Sequence, residues 1–265
     1  GALQNQNNTS DTDVYNTAIG YNAGLNVTTG TNNTIIGGLA GDALTTGSSN
    51  VALGYNALST EDAHGRNVAL GNSALATLNA GTHAYNTAVG YAAGQAVTTG
   101  TFNTIMGGLA GDSLTTGSYN TALGHDALNA EDTTSFNTAI GSQALKVQDG
   151  GANNTAIGRQ AGLAVSTGSN NTILGRNAGD ALTTGDNNII IGYTAAASAV
   201  DASNEITLGD GNISAIRCQV QSISALSDER DKTNIKDSTY GLDYINLLRP
   251  VTFEWNNREE SVHKG

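Results

Sequence analysis

The chain has 265 residues, among them 34 glycines and a single proline, and carries a formal net charge of −12. That charge argues against nucleic acid or an anionic membrane as partner. No apolar run of about 18 residues is present to insert into a bilayer, and the lone Cys218 excludes a disulfide framework within one chain. Low charge and frequent glycine would imply disorder if unpatterned, but here the residues recur on a strict period.

Residues 1–15 form a lead-in that opens Gly-Ala-Leu-Gln, without an initiator Met or an apolar leader, so we read the chain as a piece of a longer polypeptide. From Asn16 the motif Asn-[Thr/Val/Ile]-[Ala/Ile]-[Ile/Leu/Val/Met]-Gly repeats, closing at Gly20, Gly37, Gly54, Gly71, Gly90, Gly107, Gly124, Gly141, Gly158, Gly175 and Gly192, with a looser copy ending at Gly209. The interval is 17 residues except from Gly71 to Gly90, where it is 19. A period that short is one coil of a solenoid, unable to bury its apolar face without neighbours. The expected fold is all-β: a parallel β-roll or β-solenoid of about twelve 17-residue coils, with the shaft over residues 16–192. In the first coil, Asn16–Gly20 reads as a short strand and Ala23–Val27 as a second short element, giving two short strands and two turns per coil. Thr28-Thr29-Gly30 then reads as a turn whose glycine takes positive φ. At about 4.8 Å per coil the shaft would be roughly 55–60 Å long, filled by Ala, Ile, Leu and Val.

The repeated asparagines admit two readings. One is a ladder in which stacked side chains satisfy turn backbone groups; the other is rows that bind metal or glycan. The ladder is the expectation. A four-coil block also recurs, residues 16–71 matching 86–141 at an offset of 70, and it returns the acidic pair Glu61-Asp62 as Glu131-Asp132. The turns holding these pairs, and the longer Thr77–Tyr85 loop with its two extra residues, are expected to project, making Glu61, Asp62, Glu131 and Asp132 candidate contact residues. A polysaccharide-cleaving site would need two carboxylates about 5–9 Å apart beside a groove, and these pairs are adjacent in sequence. His64, His83, His125 and His263 share no zinc-ligand spacing and read as surface residues, so neither a metal nor a cofactor is expected.

Residues 193–226 form a transition in which Ile213, Ile216, Cys218, Val220 and Ile223 suggest β-structure ending the rod. Composition then shifts: residues 227–265 hold more than half of the basic residues, the only proline and the only tryptophan. Leu242, Ile245 and Leu248 lie on one helical face that Pro250 terminates, and Val251–Trp255 alternates as a strand, giving a short α+β segment. Read from the residues alone, Ser227 caps a helix whose first turn Asp228 and Glu229 favour.

The coil motif resembles the head repeats of trimeric autotransporter adhesins, and similar repeats occur in bacteriophage tail fibres. Ser227-Asp-Glu-Arg-Asp-Lys-Thr-Asn-Ile235, followed by Gly241-Leu-Asp-Tyr-Ile-Asn-Leu-Leu-Arg-Pro-Val-Thr-Phe-Glu-Trp255, closely resembles the start of the self-cleaving intramolecular chaperone of phage tail fibres and tailspikes. Asp231 departs from that pattern, which often has an apolar residue there. The resemblance implies a homotrimer, Ser227 as nucleophile, Lys232 as general base and a scissile bond at Ser227–Asp228. A lysine serves as base only when desolvation or nearby positive charge lowers its pKa, and such a role is compatible with capping. The function implied is a virion tail fibre that attaches to a host glycan or surface protein and joins other tail or baseplate proteins. The alternative is a trimeric adhesin head on a bacterial cell surface.

Overall fold

The computed structural model describes residues 1–7, 13–130 and 133–217. Residues 1–214 make one compact unit. Its strands are three residues each: β1 (Thr17–Ile19), β2 (Thr34–Ile36), β3 (Val51–Leu53), β4 (Val68–Leu70), β5 (Thr87–Val89), β6 (Thr104–Met106), β7 (Thr121–Leu123), β8 (Thr138–Ile140), β9 (Thr155–Ile157), β10 (Thr172–Leu174), β11 (Ile189–Ile191) and β12 (Ile206–Leu208). They pair in parallel in sequence order, β1 to β12, in one sheet. Each residue faces its counterpart one coil on, as in Ala18 with Ile35 and Ala52 with Ala69; the register holds across the longer interval, Ala69 facing Ala88. The β-solenoid expected from the period is the fold observed. Residues 1–7 extend it, with Leu3 N–H donating to Ala23 O and Asn5 N–H to Leu25 O.

The second element of each coil differs from the strand expected. After the closing glycine the chain enters consecutive turns in which alternate residues take positive φ, for example Asn22 (55°) and Gly24 (59°), or Leu39 (59°) and Gly41 (50°). These left-handed residues bend the chain too strongly for a strand. Coil-to-coil hydrogen bonds persist nonetheless, Gly24 N–H reaching Ala40 O and Gly41 N–H reaching Ala57 O, both at 2.9 Å. Backbone donors on both sides of the roll are thus bonded along the axis. Gly30 also differs from expectation, since it is absent from the positive-φ positions. Glycine is needed there because a Cβ would sit 2.3 Å from the carbonyl oxygen of Gly47 in the next coil.

The bore is packed by a compensating pattern that repeats every four coils. Only the middle residue of each strand points inward, as period-2 alternation requires; from β1 to β11 it is Ala or Ile, buried from β2 to β11, and in β12 it is Thr207. Where it is Ile35, Ile105 or Ile173, the turn residue six positions on is glycine (Gly41, Gly111, Gly179) and the position three further is Leu44, Leu114 or Leu182. In the third and fourth coils of a block the strand residue shrinks to alanine and the turn residue grows to leucine: Ala52 with Leu58, Ala69 with Leu75, Ala122 with Leu128, Ala139 with Leu145. These four leucines take φ of 47–51°, a conformation unfavourable for a branched side chain, which their complete burial offsets.

The asparagine ladder is present as expected. From Asn33 to Asn188 every motif asparagine is at most 1% exposed. Each Oδ1 accepts the backbone N–H of the next rung, as from Asn33 to Asn16 at 2.8 Å and Asn120 to Asn103 at 2.9 Å. Each Nδ2 typically donates to the carbonyl that closes its own coil, as Asn103 to Gly117 O at 2.9 Å. Glu205 takes the twelfth position, donating its N–H to Asn188 Oδ1 at 3.0 Å.

Candidate functional surface

The outer face of the sheet is an exposed apolar surface of the solenoid. Strand alternation that sends Ala or Ile inward sends the third residue of each strand outward: Ile19, Leu53, Met106, Leu123, Ile157, Leu174 and Leu208 are all between 37% and 60% exposed. The outward first residue is Thr or Val in ten of the strands and Ile in β11 and β12. Tyr21, Tyr55, Tyr91 and Tyr193, each directly after a closing glycine, add exposed rings along one margin. The result is a continuous apolar stripe along all twelve strands, where a solvated face would carry charge.

The other margin holds a feature that sequence reasoning missed. The residue before the motif asparagine takes positive φ in every coil, and asparagine suits it in five, among them Asn153, Asn170 and Asn187. In four successive coils it is Tyr85, Phe102, Tyr119 and Phe136, whose rings stack 5.2, 4.9 and 5.2 Å apart and within 11° of parallel. Arg66 caps the stack, its guanidinium 5.3 Å from the centre of the Tyr85 ring. Aligning the coils by their asparagines exposes this column, so the signal was available in the sequence.

The Glu61 turn exposes Asp62, Ala63 and Arg66, but Glu61 itself does not reach the surface as expected. Glu61 lies in the column occupied by Val27, Leu44, Leu78 and Val97 in other coils, and is completely buried; only Asp62 of the pair reaches solvent. The Glu61 carboxylate accepts N–H bonds from His64 (Oε1, 3.0 Å) and from Ala80 of the longer loop (Oε2, 3.4 Å). Burial pushes its pKa above the usual carboxylate range, against the lowering effect of those two donors and of the His64 charge. His64 is half-buried, with Nδ1 3.7 Å from Glu61 Oε1 and no hydrogen-bond partner. The Thr77–Tyr85 loop does present exposed residues, among them Asn79, Gly81, Thr82 and His83.

Glu131, Asp132, Ser227 and Lys232 lie outside the described residues, as do Cys218, the helix expected over Leu242–Leu248 and the strand expected over Val251–Trp255. Residues 210–217 carry no strand, so the β-structure expected after Ile213 is absent as far as Arg217. Among the described residues no helix is long and apolar enough to cross a membrane. No curated protein and no solved structure matches the chain. Residues 227–265 match the family described as the chaperone of endosialidase, the segment whose motif was read above as an intramolecular chaperone.

Proposed function

We propose that the chain is a homotrimeric bacteriophage tail-fibre shaft serving host attachment, followed by a chaperone segment that cuts itself away at Ser227–Asp228. A β-solenoid leading into a chaperone-of-endosialidase segment is the organisation of a tail-fibre-like structural protein. The observation that carries the trimer is the apolar outer face of the sheet. Three copies turning it toward a common axis would remove its isoleucines, leucines and methionine from water at about 25 cal/mol per Å². In the cleavage step Lys232 takes the proton of Ser227 Oγ, and the oxygen attacks the carbonyl carbon of the Ser227–Asp228 bond. The Asp228 nitrogen leaves with the proton that Lys232 returns, and water hydrolyses the ester so formed to free the serine hydroxyl and a carboxylate.

Assembly is tested by sedimentation of the full chain beside a Met106→Lys/Leu123→Lys variant. A wild-type trimer that the paired lysines dissociate supports the reading; a wild-type monomer overturns it. Cleavage is tested separately by intact mass, wild type against Ser227→Ala, in a chain carrying the complete chaperone segment. A wild-type product ending near residue 227 with an uncut variant supports it, and an uncut wild type overturns it. Attachment is tested by adsorption of purified fibre to host cells, where saturable binding is expected and none would overturn the role.

A further inference from the structure

We infer that the Glu61 turn is a binding site for one divalent transition-metal ion of the zinc class, with Glu61, Asp62 and His64 Nδ1 as ligands. Three observations converge. A fully buried carboxylate stands in a core column that Val27, Leu44, Leu78 and Val97 fill in neighbouring coils, and its one ionisable contact of opposite sign, among the described residues, is His64. The Nδ1 of His64 is shielded from solvent, unbonded, and directed at Glu61 Oε1 across 3.7 Å. That gap is too long for a hydrogen bond, yet close to the separation of about 3.3 Å between two ligand atoms on one tetrahedral zinc with bonds of about 2.0–2.1 Å.

One ligand atom from each of the three residues lies within 4.8 Å of the others. Asp62 is exposed, so a rotamer change can bring its carboxylate inward at little cost. An imidazole beside two carboxylates selects zinc or a neighbouring first-row ion over calcium or magnesium, which take oxygen ligands. A +2 charge would also offset the buried Glu61 carboxylate, which no lysine or arginine among the described residues pairs. The surroundings hold the set in place: Gly65 N–H donates to His83 Nδ1 at 3.3 Å, and the His83 ring meets the His64 ring edge-on at 6.2 Å.

The site sits where the coil period lengthens from 17 to 19 residues, and Glu61 already binds the longer loop through Ala80 N–H. A bound ion would staple the two at the one irregular joint of the stack. The block copy 70 residues on keeps Glu131-Asp132 but has Thr134 where His64 stands, so the complete ligand set occurs once.

The test uses the full chain without an affinity tag, stripped with EDTA and titrated with Zn²⁺ by calorimetry and with Co²⁺ by absorption spectroscopy. One ion per chain is expected, with Co²⁺ bands of a nitrogen- and oxygen-ligated centre. His64→Ala should abolish both signals, and Asp62→Asn, whose exposed side chain leaves folding intact, should weaken Zn²⁺ binding at least about tenfold. No stoichiometric uptake by the wild type overturns the proposal. So does uptake unchanged in both variants, or uptake lost only with His263→Ala.

Discussion

Replacing Asn103 with alanine removes both arms of one ladder rung. The Asn103 side chain accepts the N–H of Asn120 and donates to the carbonyl of Gly117, each at 2.9 Å, in a residue 1% exposed. Alanine leaves that donor and that acceptor buried without these partners, at about 1–3 kcal/mol each, so about 2–6 kcal/mol for the rung. Asn103→Asp keeps the acceptor for Asn120 but sets a carboxylate oxygen against the Gly117 carbonyl. Burial and that carbonyl would raise the folded-state pKa of the new acid, because only its protonated O–H can donate. A raised folded pKa gives stability that is full below the unfolded value of about 3.9 and is lost as pH rises through the folded one. The aspartate variant should therefore approach wild type near pH 3 and fall steadily behind it toward neutrality, while the alanine deficit stays flat with pH. The assay is the unfolding rate in guanidinium chloride, followed by circular dichroism from pH 3 to pH 7. If the rung breaks in the transition state, 4 kcal/mol accelerates unfolding about a thousandfold. An alanine variant unfolding within about threefold of wild type would refute the claim that the ladder holds the coils together.

The remaining predictions concern single contacts. Gly107→Ala forces an L-residue to φ +133° and places its Cβ 2.5 Å from the Gly124 carbonyl oxygen, so a loss of at least about 3 kcal/mol is expected in thermal unfolding; Gly81→Ala, at φ +64° with nothing within 4 Å, should cost only about 1 kcal/mol. Ile105→Ala should cost about 2–5 kcal/mol in the same assay, since the neighbouring turn glycines Gly94 and Gly111 offer no side chain to refill the bore. The Lys146 ammonium, bonded to Asp126 at 2.8 Å, holds that carboxyl below its usual range. Its stabilisation is present above the unfolded pKa of about 3.9 and is lost as pH falls through the folded value, so Lys146→Met should cost about 1 kcal/mol at pH 7 and nothing near pH 2.

Coil number, register and the asparagine ladder were legible because each follows from period alone. A side chain repeated every 17 residues in a stacked coil meets its own copy, and an amide that meets an amide bonds to it. The turn chemistry was less legible. Leu58 and Leu75 read as ordinary apolar residues, and nothing local says that they take positive φ. That conformation is imposed by the coils on either side, which adopt it with Gly41 and Gly94 at the equivalent place. Glu61 misled for the opposite reason. A charged residue in a turn is expected at the surface, but its position, eleven residues after the asparagine, belongs to the core whatever residue fills it. Counting positions from the asparagine, rather than reading hydropathy, would have placed it.

The same regularity bears on the role proposed for the C-terminal segment. Along the outer face each coil offers Thr, Val or Ile beside Ile, Leu, Val or Met, so two copies displaced by one coil, about 4.8 Å, would bury nearly the same surface as two in register. The features that differ between coils are few: the aromatic column confined to Tyr85–Phe136, and the single longer loop at Thr77–Tyr85. Neither distinguishes one end of the shaft early in folding, because both are central and form only when several coils have stacked. A device that aligns three chains at one terminus sets the register before lateral contacts compete, which is the task expected of a chaperone beginning at residue 227. If so, the full chain refolded with its C-terminal segment should give uniform trimers, and a chain ended at residue 217 should give staggered, polydisperse assemblies by analytical ultracentrifugation. Uniform trimers from the shortened chain would show that the aromatic column and the irregular coil suffice for register and that no terminal clamp is required.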